Sequence, residues 1–104
     1  MNQTVKKKWV EALRSNRYNQ TRGTLRSPQN CFCVLGVLCD VVDPNGWGSN
    51  KGMSKAWRGS MGVIPSKLCS AIHLKGKDAA RLMQMNDGER KSFKELADYI
   101  ENNL

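Results

Sequence analysis

Four cysteines, at positions 31, 33, 39 and 69, and a single histidine, His73, are the side chains of this 104-residue chain best suited to ligate a metal or act as nucleophiles. Their spacing argues against both roles. Cys31-Phe32-Cys33 lacks the Cys-x2-Cys step of the common zinc knuckles. If 33–39 is helical, Cys39 stands about 9 Å further along the axis; if it is extended, about 20 Å. Neither places the sulfurs on the edges of a tetrahedron about 4 Å across, as Zn–S bonds of about 2.3 Å require. Two disulfides would suit a secreted mini-protein, but nothing marks the chain for export: Met1 to Lys8 lacks the apolar core of a signal peptide. Buried free thiols acting as small hydrophobes are the favoured reading, with no metal and no cofactor. No phosphate-cradling glycine loop, nucleophile elbow or His-Glu-x-x-His is present. One histidine and nine acids supply general acid–base chemistry poorly, so no catalytic residue is expected and the chain reads as a non-enzyme. Asp87 suits turn chemistry, and Asp40 is a candidate cap for the end of a buried helix.

Charge points instead to binding. Seventeen Lys and Arg against nine Asp and Glu give +8. Residues 1–30 carry seven bases and one acid, whereas the last eighteen residues carry three bases and five acids. A basic front end draws phosphate backbones or acidic protein surfaces by its long-range field, or serves as a solubilising surface. The candidate binding residues are Lys6, Lys7, Lys8, Arg14, Arg17, Arg22 and Arg26, with Trp47, Trp57 and Arg58 from the loop described next. Residues 43–62 hold five of the nine glycines and two of the three tryptophans, flanked by Lys51, Lys55 and Arg58. This Gly/Trp-rich variable loop could stack on bases or grip a partner; equally, its tryptophans fold back as a lid on a small core.

The elements that position these residues follow from hydrophobic periodicity. Val5, Trp9, Ala12 and Leu13 fall on one face of a helix running from Thr4, as N-cap, to about Arg17, with Trp9 as a core anchor. Ser27-Pro28-Gln29-Asn30 is turn chemistry between short strands over roughly 22–26 and 30–33, a β-hairpin. Val34 to Val42 reads as a central helix ended by Asp43-Pro44. Gly36 is unfavourable there by roughly 1 kcal/mol, which signals another backbone packed against it. Pro65 opens a helix carrying Leu68, Ala71 and Ile72. Another runs over about 78–85, and His73 lies between them as a surface or helix-end residue. Met83 and Met85 suit either core gaps or an adaptable partner surface. Ser92-Phe93-Lys94-Glu95 is a capping box opening the last helix, with the apolar stripe Phe93, Leu96, Ala97 and Ile100. Its outer acids Asp98 and Glu101 face the basic first helix as candidate ion-pair partners. The expected class is α+β, mostly helical, with four to five short helices and one small β-hairpin in a single compact domain over 1–104. No apolar run approaches the roughly 18 residues that span a bilayer, so no membrane partner is expected.

The order Trp9-x-x-Ala12-Leu13-Arg14-Ser15, Tyr18-x-Gln20, Gly23-x-Leu25, Cys33-x-Leu35-Gly36-Val37-Leu38-Cys39-Asp40, then Asn86-Asp87 and Ser92 through Glu101, resembles a family of small uncharacterised tailed-phage and prophage accessory proteins. The likeness covers about residues 1–43 and 82–104; residues 44–81 match loosely. Family members carry two adjacent cysteines before the Leu-Gly-Val-Leu run, and here Val34 fills the second place, which weakens a metal site further. The resemblance implies an accessory gene of a phage acting in the host bacterial cytoplasm, and carries over no functional residues. On this basis the leading expectation is a binding protein that modulates a host protein or nucleoprotein complex, with anti-defence inhibition, for example anti-CRISPR action, as a candidate. The alternatives are direct DNA or RNA binding and a small virion or assembly component.

Overall fold

The computed structural model describes residues 1–48 and 53–104; residues 49–52, including Lys51 and Gly52 of the Gly/Trp-rich loop, lie outside it. Five helices and one two-stranded sheet are present among the described residues. They are α1 (Gln3–Arg14), α2 (Val34–Val42), β1 (Trp47–Gly48), β2 (Ala56–Trp57), α3 (Ser66–Ala71), α4 (Gly76–Asp87) and α5 (Phe93–Asn103). The protein is α+β, mostly helical and compact.

The first helix buries Trp9, Ala12 and Leu13 of the face that the spacing predicts; Val5 of that face is half-buried, and Val10 is buried beside it. Its cap differs from the expected one. Asn2, not Thr4, accepts the Val5 N–H at 3.0 Å, while the Asn2 N–H donates to Ile72 O at 2.8 Å. Held by its side-chain oxygen and by its backbone N–H, Asn2 starts the helix ahead of Thr4. The helix also stops short of Arg17. Ser15 Oγ donates to Ala12 O at 2.6 Å, and Asn16 turns into the left-handed region at φ 62°, a conformation that asparagine tolerates.

The central helix α2 is the hub of the core. It is buried on almost every side from Val34 to Cys39, which is why its apolar residues follow no narrow stripe. α1 packs against both α2 and α5, and α4 packs against α2; α3 makes few contacts with the other helices. At Gly36 the expected close approach is present: a Cβ built there would stand 1.9 Å from Leu25 O. The Leu25 carbonyl accepts the Cys33 N–H at 3.2 Å, so the chain crosses the start of α2 backbone to backbone.

The hairpin is not where the sequence places it. The Ser27–Asn30 turn forms, with Asn30 N–H donating to Ser27 O at 3.0 Å and Asn30 at φ 62°. Its flanks, however, make only the isolated bridge between Arg26 and Phe32. The reason is competition: Phe32 exchanges backbone hydrogen bonds with the 19–21 segment, Leu25 N–H goes to Met61 O, and Arg26 O receives Lys55 N–H. Each residue thus finds a different partner, and no ladder grows. The antiparallel pair lies instead in the Gly/Trp-rich loop, with Trp47 opposite Trp57 and Gly48 opposite Ala56. A tight turn follows, in which Arg58 and Gly59 both take positive φ (46° and 87°).

The later helices agree with the apolar pattern, with shifted ends. Pro65 is the N-cap of α3 rather than its first residue, and Leu68 and Ile72 are buried while Ala71 is exposed. α4 is longer than the 78–85 expected, burying Ala79, Leu82, Met85 and Asn86. The Ser92 capping box of α5 is complete in both directions.

Candidate functional site

The ten candidate binding residues divide into those held within the fold and those left facing outward. Trp57 is wholly buried, 0% exposed, and its indole N–H donates to Asp43 O at 2.9 Å. This corrects its assignment as a binding residue: it is a core anchor of the loop. Arg58 lies over the Trp57 ring at 4.3 Å and pairs with Asp43 at 3.1 Å, which holds the turn down. Trp47 is half-buried and donates its indole N–H to Asp40 at 3.0 Å. Arg26 covers Phe32 and Trp47 with its guanidinium, 4.8 and 5.3 Å from the ring centroids. The described part of the loop is therefore a lid rather than a stacking platform. Arg14 is also engaged: it binds Asp98 at 2.7 Å and Glu101 at 2.9 Å, tying α1 to α5. The pairing raises the Arg14 pKa above its usual value and holds the Glu101 carboxyl below the carboxylate range.

Five of the ten remain outward: Lys6, which is half-buried, and the exposed Lys7, Lys8, Arg17 and Arg22. None of them takes part in an ion pair among the described residues. The acids that do pair are drawn to Arg14, Arg58, Arg81 and Lys91.

Trp9, Tyr18, Gln20, Asp40 and Asn86 are engaged in the framework. Trp9 donates its indole N–H to Val34 O at 3.0 Å. Tyr18 donates its hydroxyl to Asp40 at 2.6 Å, and burial together with that bond pushes the Tyr18 pKa up to about 12. Asp40 thus clamps two aromatic rings onto α2 and does not cap the helix, as the sequence suggested. Asn86 is wholly buried and fully partnered: its Oδ1 accepts from Gln20 Nε2 at 2.8 Å and Val34 N–H at 3.2 Å, and its Nδ2 donates to Thr21 O at 3.0 Å and Asp87 at 2.7 Å. This hub joins α4, α2 and the 20–21 segment. Nothing in the local pattern around Asn86 distinguishes it from a turn residue.

The cysteines form no metal cluster among the described residues. Cys33 caps α2, its sulfur accepting the Gly36 N–H at 3.4 Å, and burial pushes its thiol up to about 11. Burial raises the Cys39 and Cys69 thiols as well. A raised pKa disfavours the reactive thiolate at neutral pH.

A second surface feature was not legible in the sequence. Between α3 and α4 runs an open groove of about 800 Å³. Leu35 and Leu74 line its depth, Ile64 and Val63 one side, and Ala80 and Met83 the other. His73, at φ 57°, ends α3 in a Schellman motif and borders the groove with Lys75. α3, one wall of the groove, has only six residues and makes few contacts with the other helices. The Ala79-Ala80 pair and Met83 are the sequence signal that could have marked it: small side chains leave the space, and a methionine lines it.

Residues 1–65 match the family model described as Domain of unknown function (DUF8296). The chain belongs to that family. No curated protein and no solved structure matches it. The DUF8296 match spans α1, α2 and the strand pair and stops at Pro65, so α3, α4 and α5 lie beyond it. Both the basic residues of the front end and the Asp40 clamp fall inside the matched span. The groove is built mostly from residues outside it.

Proposed function

We propose that this DUF8296 protein is a non-enzymatic phage accessory protein that binds and modulates a host protein or nucleoprotein complex in the bacterial cytoplasm, a defence nuclease such as a CRISPR effector being a candidate target. The observation that carries this reading is the set of outward cations, Lys6, Lys7, Lys8, Arg17 and Arg22, none of which is in an ion pair among the described residues. A cationic surface of this kind raises the encounter rate with an acidic partner and fixes its orientation. It needs no bond-breaking step to block a groove or a docking face. That no described helix is long and apolar enough to cross a membrane is consistent with a target reached from solution.

The same cations favour one competing reading, direct DNA or RNA binding. The two are separated by affinity capture from expressing cells with and without nuclease, run beside the Lys6→Glu, Lys7→Glu, Lys8→Glu triple variant. A protein partner that survives nuclease and is lost with the triple variant supports modulation of a host complex. Capture of nucleic acid alone reverses the ranking. In that case affinity falls by roughly 0.9 log units per log unit of salt for each phosphate engaged.

A further inference from the structure

We propose that the groove between α3 and α4 is a docking site for an acidic amphipathic helix of a protein partner. The inference rests on reading the chain as a binding protein and adds to it a second surface, separate from the α1 cations. The groove is apolar along its depth, through Leu35 and Leu74, and at its edge Val63 presents a large aliphatic side chain that is 67% exposed. Along α4 the lining runs from Gly76 to Met83; at 1.5 Å per residue this is about 10.5 Å, the span of helical anchors at i, i+3 or i+4, and i+7. The groove is open rather than enclosed, which suits a rod laid into it better than a small molecule that must be surrounded.

Charge selects the kind of helix. Lys75 lines the groove; Lys67 on α3 and Lys77 on α4 are exposed and add positive charge to the same two helices without lining it. None of the three is in an ion pair among the described residues. No acid lines the groove; the nearest in sequence, Asp78, is half-buried in the first turn of α4. An apolar stripe flanked by Glu or Asp is complementary to this border, and a basic helix is repelled by it. A second copy of the chain would bring the same lysines and a net charge of +8 against themselves.

The test uses the full chain, methyl-labelled for NMR, and two synthetic 16-residue helices with the same leucine stripe, one flanked by Glu and the other by Lys. The acidic helix is expected to shift the Ile64, Leu74 and Met83 methyls and to bind at least about ten-fold more tightly than the basic one at low salt. Reversing Lys75 and Lys77 to Glu is expected to weaken it about ten-fold. Ala80→Trp, placed at an exposed position so that the fold is retained, fills the groove and abolishes the shifts. The Lys6, Lys7, Lys8 triple variant leaves them unchanged, so this titration can fail while partner capture succeeds, and the reverse. The proposal is overturned by the absence of groove shifts with the acidic helix up to millimolar concentration, by equal binding of the basic helix, or by binding that survives Ala80→Trp. It is equally overturned if the same methyls respond instead to a long-chain fatty acid or to self-association of the chain.

Discussion

Gly36→Ala isolates the crossing on which the front half of the fold depends. The added Cβ would lie 1.9 Å from Leu25 O and 2.8 Å from its carbonyl carbon, both backbone atoms with no rotamer to yield. Reaching even the shortest tolerated separation moves the two backbones apart by more than 1 Å. That shift strains the Cys33 N–H to Leu25 O bond and the Leu25 N–H to Met61 O bond, and displaces the Leu25 side chain, which is 0% exposed. Overpacking costs about 1–3 kcal/mol. Two weakened backbone bonds add about 1 kcal/mol each. The helix preference of Ala over Gly returns about 1 kcal/mol. The net expectation is a loss of about 2–4 kcal/mol, a large share of the roughly 5–15 kcal/mol that typical domains possess. Urea unfolding followed by circular dichroism measures it, and with a slope of about 1–2 kcal/mol/M the midpoint falls by about 2 M. Gly76→Ala is the control, because a Cβ there meets nothing within 4 Å; its midpoint should hold or rise. A Gly36→Ala midpoint equal to or above that of the unaltered protein refutes the close approach.

Three further outcomes follow from the same geometry. Asn86→Ala leaves the Val34 N–H and the Thr21 carbonyl without their partner in a buried site; a loss of about 3 kcal/mol or more is expected in the same urea assay. His73→Gly relieves a left-handed residue at the end of α3; the thermal midpoint should rise by about 3–5 °C, the conformational gain being partly offset by the freer unfolded chain, and a fall would contradict the Schellman geometry. Burial raises the Cys33 and Cys39 thiol pKa values, so the reactive thiolate forms only as pH rises well above neutral. A disulfide exchange reagent at pH 8 should therefore leave both unmodified in the folded protein and label all four cysteines in denaturant, and rapid native labelling of either would place it outside the core.

The apolar spacing of Val5, Trp9, Ala12 and Leu13, the Val34–Val42 run, the Ser92 capping box and the glycine at 36 determined most of the helices and one backbone crossing. Each is a local preference or a repeat within one element, and such signals survive in the linear sequence. That Asp98 and Glu101 would face the basic first helix was legible for a related reason, opposite charge on two amphipathic faces; that Arg14 is the residue they engage, and so is taken from the binding set, was not. The sequence did not determine the strand pair, the four-bond hub at Asn86 or the clamp at Asp40. These depend on which distant backbone reaches a donor first, as the competing partners of Phe32, Leu25 and Arg26 demonstrate. Basic charge was readable as a total, but only the packed structure decided which cations it leaves outward and which it turns onto Trp57, Phe32 or α5. For the α3–α4 groove the sequence offers only small residues at 79 and 80 and a methionine at 83; whether a space opens there is set by how far two helices stand apart, a distance that no residue type encodes.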